Sequence, residues 1–116
     1  MKRDEIMKLE GPELAAAVAK RLMGWKLRDW NTLWVNSDNA NVCGIGWWRP
    51  HIDWNDTMRV LKTIDEMCIP VRWSNKGGNA RLLWLYIGND GCMQTSWDTV
   101  RRDICRAALL AVEGVE

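Results

Sequence analysis

The stretch RLLWLYIGNDGCMQTSW, residues 81–97, determines what kind of sheet this chain can form. Its first seven residues, 81–87, are almost continuously apolar, which is typical of a strand in the middle of a sheet that is covered on both faces. Residues 88–91, GNDG, have the chemistry of a hairpin turn, and residues 92–97 are predicted to return as the paired strand. The stretch therefore predicts two antiparallel strands.

Helices are predicted on both sides of this hairpin. Residues 12–23 form the first convincing one, because Pro12 suits a first helical turn and Gly24 is well placed to end the helix. A short helical turn over residues 5–9 precedes it. Residues 98–112 carry apolar side chains at helical spacing and are predicted to form the last helix.

A central helix is predicted to begin at residue 54 or 55, with Asp53 or Asn55 as its cap, and to run to residue 67. Its apolar face is predicted to comprise Trp54, Met58, Leu61, Ile64 and Cys68. Pro70 ends the helix, a strand follows over residues 71–74, and residues 75–79 read as a turn.

Residues 25–49 are less regular. Two short extended pieces, around residues 33–35 and 45–48, are separated by the polar cluster 36–41. The whole order is helix, short strands, helix, three strands, helix, with no βαβ repeat. This order predicts one α+β domain over residues 1–116, with a small antiparallel or mixed sheet and about three helices.

Composition narrows the function classes. Sixteen Lys and Arg against fifteen Asp and Glu give a net charge of +1, which argues against binding of long nucleic acid. The start of the chain does not resemble a signal peptide and no long apolar run follows, so we expect no membrane partner and a cytoplasmic protein. The four cysteines are spread without a CxxC pair, which predicts free thiols, no metal site and no cofactor.

The nine tryptophans, in a chain without phenylalanine, indicate either a core built of tryptophan or a stacking site. In the run Trp47-Trp48-Arg49, an indole could stack on a nucleobase while the guanidinium binds a phosphate. The alternative is that one of the two tryptophans enters the core and the other covers a loop or a subunit interface.

Two arginines on the last helix could add to an anion site. Arg102 and Arg106 are four residues apart and so project from one helical face, where two cations need an anion or acidic side chains between them. A phosphate clamp is one interpretation. An ion-pair face with Asp98 and Asp103 is the other.

Catalysis has weak support in the sequence. The only histidine, His51, lies near Asp53, and such a pair could act as a general base. No nucleophile is linked to it by a recognised motif, and the spacing of Cys43, His51, Asp53 and Asp56 matches no known metal site. We therefore expect a protein that is not an enzyme.

Both ends of the chain carry a family resemblance. Its residues are EIMKLE (5–10), Glu13-Leu14, Val18-Ala19, MGW (23–25) and ICRAALLA (104–111). These segments resemble the small phage and prophage proteins grouped as the phage ABA sandwich domain family, over about half of the chain. The resemblance implies a layered α/β/α sandwich, an origin in a phage or prophage, and the cytoplasm of a host bacterium as location.

These observations combine into one hypothesis with an alternative. We expect a phage-encoded protein that sequesters a nucleotide-like signalling ligand through Trp47, Trp48, Arg49, Arg102 and Arg106, and so counters a host defence. The alternative is a protein-interaction module, or an oligomeric structural module of a phage, with exposed tryptophans at its interface. A homo-oligomer is expected in either case. The binding hypothesis requires that the central indoles and the guanidinium groups of the last helix meet at one cavity.

Overall fold

A computed structural model describes residues 2–28, 30, 32–74, 83–89 and 91–113 of the chain. Over these residues the protein has the predicted α+β fold. The α-helices are α1 (Arg3–Lys8), α2 (Gly11–Ala17), α3 (Trp54–Glu66) and α4 (Val100–Glu113). The strands are β1 (Lys26–Arg28), β2 (Leu33–Val35), β3 (Asn41–Gly44), β4 (Val71–Ser74), β5 (Leu83–Ile87) and β6 (Gly91–Thr95). None of the described helices has the length and apolar character that crossing a membrane requires.

The strands form two antiparallel sheets, in the orders β1-β2-β3 and β4-β5-β6. The position of β5 in the middle of its sheet confirms the central strand predicted from the apolar run. Its side chains alternate: Leu83, Leu85 and Ile87 are buried, whereas Trp84 and Tyr86 on the opposite face are only partly buried. Residues 81–82 of the predicted strand and the predicted turn 75–79 lie outside the described residues.

The helix α4 forms the centre of the molecule. Every residue from Asp103 to Leu110 is buried, and the helix packs on β5 and β6 as well as on α1, α2 and α3. The approach to β6 is close at Gly91, where a Cβ atom would lie 2.5 Å from the carbonyl oxygen of Ala107. A residue without a side chain is therefore required where the helix crosses the hairpin.

The first predicted helix has two parts. Its α-helical part, α2, continues as a π-helical turn, Val18–Leu22, in which the N–H of Met23 donates to the carbonyl of Val18 at 3.0 Å. Gly24 follows with φ +72°, a left-handed conformation that favours glycine, which confirms it as the residue that ends the helix. The chain then turns Trp25 into the core.

The helix α3 begins as predicted, because the Asp53 side chain caps it by accepting from the N–H of Asn55 at 2.9 Å. The predicted apolar face is wrong for three of its five residues, because Ile64 is buried and Leu61 packs partly buried against the core. The buried residues are Thr57, Val60 and Ile64, whereas Trp54, Met58 and Cys68 are exposed. Thr57 can be buried because its hydroxyl donates to the carbonyl of Pro50 at 2.6 Å.

Candidate ligand-binding cavity

A cavity of about 510 Å³ lies between α2, β2 and the loop that leads into α3. We call this loop, with the short 3-10 turn at its start, the 45–52 segment. The walls are mostly apolar, and the residues that form them are Pro12, Ala15, Ala16, Trp34, Ile45, Gly46, Trp48 and Ile52. Arg49 and His51 are the two remaining residues of the lining, so the polar chemistry of the described walls comes from these two side chains.

Hydrogen bonds to α3 and to the connection before β2 hold the 45–52 segment in place. The N–H of Ile45 donates to the carbonyl of Thr32 at 2.9 Å. The backbone N–H of Arg49 donates to Oδ2 of Asp56 at 2.9 Å, and the carbonyl of Arg49 accepts from the N–H of Asp53 at 2.8 Å. Because its backbone is bonded at these points, the segment presents a preformed wall to the cavity.

Trp48 anchors this wall in the core and is only 2% exposed. Its indole N–H donates to the carbonyl oxygen of Ala15 at 3.0 Å. Its ring packs edge-on against Trp25 with 4.6 Å between the ring centroids, and the guanidinium of Arg59 lies 5.4 Å from the Trp48 ring centroid. Trp48 therefore supplies a rigid part of the cavity wall and has no open ring face on which a base could stack.

Trp47 and Arg49 flank Trp48 and are both exposed. The Trp47 side chain is 74% exposed and packs over Gly44, where a Cβ atom would lie 3.2 Å from its Cδ1 atom. Trp47 is not among the residues that line the cavity, whereas Arg49 is. Thus one tryptophan of the pair is in the core and the other is on the surface, as the alternative interpretation of this run describes.

The two arginines of α4 that were predicted to bind an anion, Arg102 and Arg106, lie outside the cavity. Arg106 is buried, and its Nε and Nη2 atoms donate to the carbonyl of Leu9 at 3.1 and 2.8 Å. Arg102 is partly exposed, and its Nε atom donates to Oδ1 of Asp103 at 3.3 Å. Neither arginine lines the cavity. The structure thus brings Trp48 and Arg49 together at one site and does not bring Arg102 and Arg106 to it.

His51 is the cavity residue whose role the sequence left open. Its Nδ1 atom is buried and has no hydrogen-bond partner in the structure. Burial, with a smaller contribution from the charge of Arg49, lowers the pKa of His51, so the imidazole is neutral at neutral pH. A buried polar atom without a partner is uncommon in a folded protein, and a pattern of residue types along the chain gives no sign of it.

The geometry of this region gives little support to a catalytic or a metal-binding role. Asp53 uses Oδ1 to cap α3, and Nδ1 of His51 forms no hydrogen bond with it or with any other described group. Within the described ranges, no three His, Cys, Asp or Glu side chains come close enough together to hold a metal ion.

Comparisons of this chain with protein-family models, with curated proteins and with solved structures found no match. The candidate site therefore stands on its own geometry.

Proposed function

We propose that this protein is a non-enzymatic binding module that captures a small nucleotide-like ligand in the cavity beside Trp48. The observation that carries the proposal is a preformed cavity of about 510 Å³ whose described walls are apolar apart from Arg49 and His51. Small-molecule sites commonly measure about 300–1,000 Å³ and combine apolar walls with a few polar groups that orient the ligand. A flat base fits such walls, and a guanidinium binds a phosphate.

The residues proposed to contact the ligand differ from those expected from the sequence. The base occupies the space bounded by Trp34, Ile45 and Ile52, and Arg49 binds the phosphate through paired N–H donors. Trp48 fixes the shape of the wall. Arg102 and Arg106 have no part in the proposed site, because their guanidinium groups bond to Asp103 and to the carbonyl of Leu9.

Capture without catalysis is favoured by the chemistry of the walls. The described lining has no carboxylate, hydroxyl or thiol side chain beside His51. Such a group is the usual nucleophile, or the usual second acid or base, in hydrolytic and transfer reactions. In the phage or prophage setting that the family resemblance implies, holding a signalling nucleotide of the host without altering it would counter a defence that depends on that nucleotide.

The test is calorimetric titration of the protein with nucleoside monophosphates, cyclic dinucleotides and cyclic ADP-ribose. Binding of at least one of these is expected, with the ligand recovered unchanged. Arg49→Gln should weaken binding at least about tenfold, because a charge-assisted hydrogen bond contributes about 1.5–3 kcal/mol. Arg102→Gln is the matched control, since it removes a partly exposed guanidinium outside the cavity, and it should bind as the parent does.

Two outcomes overturn the proposal. One is an absence of heat and of thermal stabilisation with every nucleotide. The other is equal loss of binding in Arg49→Gln and Arg102→Gln, which would indicate a general effect of net charge.

A second candidate function is protein interaction, because several large apolar side chains lie on the surface. Trp54 and Met58 are four residues apart on α3, so they share one exposed face, and Trp73 and Trp97 are exposed elsewhere. Exposed tryptophans are frequent anchors of interfaces. Light scattering tests for self-association: Met58→Glu should dissociate an oligomer built on this α3 face, whereas Trp30→Glu, at another exposed site, should not.

A further inference from the structure

The sheet β4-β5-β6 has two edges, which differ in what covers them. Because β5 lies in the middle, β4 and β6 each have one side without a neighbouring strand among the described residues. An edge strand carries a row of backbone N–H and carbonyl groups that can pair with a further strand. The hydrogen bonds of the sheet show which residues carry these groups.

On β4 the outward backbone groups are those of Val71 and Trp73. The N–H of Gly88 donates to the carbonyl of Pro70 at 2.9 Å, one step before the first residue pair of β4 and β5. Bonded and non-bonded pairs alternate along an antiparallel ladder, so the next bonded residue of β4 is Arg72. The N–H and carbonyl of Val71 and Trp73 therefore point away from β5.

The edge of β6 is occupied, whereas the edge of β4 is open. By the same alternation the carbonyl of Cys92 points away from β5, and it accepts from Nη2 of Arg3 at 3.4 Å. An arginine of α1 thus covers the β6 edge. On β4, no group within the described ranges bonds to the outward backbone atoms of Val71 and Trp73.

The side chains of β4 also suit pairing with a further strand. Proline, lysine and β-bulges protect the edges of natural sheets, and the sequence VRWS with its regular register has none of them. The one charged group, the guanidinium of Arg72, lies over Tyr86 at 5.2 Å from the ring centroid. The Trp73 side chain is 45% exposed. The strand therefore offers open backbone groups beside a large exposed ring.

We infer that β4 pairs antiparallel with β4 of a second copy of this chain, which joins the two three-stranded sheets into one continuous sheet. A second copy presents the same open edge and the same exposed ring, so one two-fold contact satisfies both copies at once. This interface does not depend on what the cavity binds.

Charge determines the register of the pair. A two-fold axis at Arg72 would place two arginines directly opposite each other, which is unfavourable. An axis at Trp73 instead pairs the N–H and carbonyl of Trp73 with those of the same residue in the other copy. It also sets the two indoles side by side and places Arg72 opposite Ser74, so like charges are no longer paired.

Sedimentation velocity over a series of concentrations, from low to high micromolar, measures the association. A contact through one short strand is smaller than a standard interface, which buries about 1,600 Å². We therefore expect a monomer at low concentration and a dimer, without larger species, at high concentration. Trp73→Lys should remain a monomer throughout, because two lysines would then be paired directly. Trp97→Lys makes the same change at another exposed tryptophan, and it should dimerise as the parent does.

Amide hydrogen exchange of the parent protein, followed by NMR, reads the pairing on β4 directly. The N–H of Trp73 should exchange at least about tenfold more slowly in the dimer than in the monomer, because pairing gives it an acceptor. The N–H of Arg72 is already bonded to β5, so its exchange should change by less than about twofold.

Several results would overturn the inference. One is a protein that is monomeric at every concentration, and another is a dimer in which the N–H of Trp73 exchanges as fast as in the monomer. A dimer that persists in Trp73→Lys also excludes the β4 edge. If Met58→Glu dissociates that dimer, the exposed face of α3 is the interface instead.

Discussion

The indole N–H of Trp48 donates to the carbonyl oxygen of Ala15 across 3.0 Å, which joins two walls of the cavity that are 33 residues apart in the sequence. Ala15 lies on α2 and Trp48 on the 45–52 segment. The bond therefore fixes the separation of helix and loop, and with it the width of the space between them.

Replacing this indole should weaken the fold measurably. In Trp48→Phe the hydrogen bond to Ala15 is lost and the smaller ring leaves space beside Trp25. We expect the free energy of unfolding in urea to fall by about 2–4 kcal/mol, the sum of a lost buried bond and a small cavity. Trp47→Phe, on the exposed neighbour, should change it by less than about 0.5 kcal/mol. Equal effects of the two changes would contradict the buried anchor.

The guanidinium of Arg106 should contribute to stability and not to ligand binding. Its bonds join α4 to the carbonyl of Leu9, at the connection between α1 and α2, and Nη1 lies 3.9 Å from Oδ1 of the buried Asp103. Arg106→Met leaves that carbonyl without its two guanidinium N–H donors and removes one of the guanidinium groups beside Asp103, and we expect a loss of about 2–5 kcal/mol in urea unfolding. Arg102→Met is the control, and its loss should be below about 1 kcal/mol because this guanidinium is partly exposed.

The contact between α4 and the hairpin gives a third prediction. A methyl group at residue 91 would meet the carbonyl oxygens of Ala107 and Ile87 at 2.5 Å, so Gly91→Ala forces the helix away from β6. We expect a loss of about 1–3 kcal/mol in urea unfolding, the usual cost of overpacking. Gly46→Ala places its methyl group where no atom lies within 4 Å, and it should be close to neutral. An unchanged free energy of unfolding in Gly91→Ala would contradict the close contact between α4 and β6.

Short stretches of sequence predicted the ends of helices and strands that depend on backbone conformation or on a capping hydrogen bond. Gly24 ends the first helix because a left-handed φ is needed there, and Asp53 caps α3 because a free N–H lies within its reach. The turn residues around Gly88 likewise indicated the β5–β6 hairpin. Each of these features is decided within a few residues of the chain.

Features that depend on packing were not predictable in this way. Of the face predicted for α3, Ile64 and in part Leu61 contact the core, whereas Trp54 and Met58 are exposed. Thr57 takes a buried position instead, because its hydroxyl donates to the carbonyls of Pro50 and Asp53. The four-residue spacing of Arg102 and Arg106 correctly places them on one helix, but it cannot reveal that α4 lies at the centre of the molecule. The unpartnered Nδ1 of His51 exists only in the folded chain.

Lowering the pH should reduce the free energy of unfolding, because His51 takes up a proton more readily in the unfolded chain than in the folded one. Burial and the neighbouring charge of Arg49 lower the pKa of this imidazole in the folded state, whereas in the unfolded chain the pKa is close to about 6.5. As the pH falls through about 6.5, the unfolded chain binds a proton before the folded chain does, so the free energy of unfolding decreases until the pH passes the folded pKa. Above about 7.5 this contribution is fully present.

His51 is the only histidine, so a single variant isolates its effect. Urea unfolding of the parent should show stability falling between about pH 7.5 and 5.5, above the range in which most carboxyl groups titrate. In His51→Phe the curve over this window should be nearly flat, because no other side chain has an ordinary pKa there. An equal slope in both proteins would show that the imidazole is as free to take up a proton in the folded state as in the unfolded one.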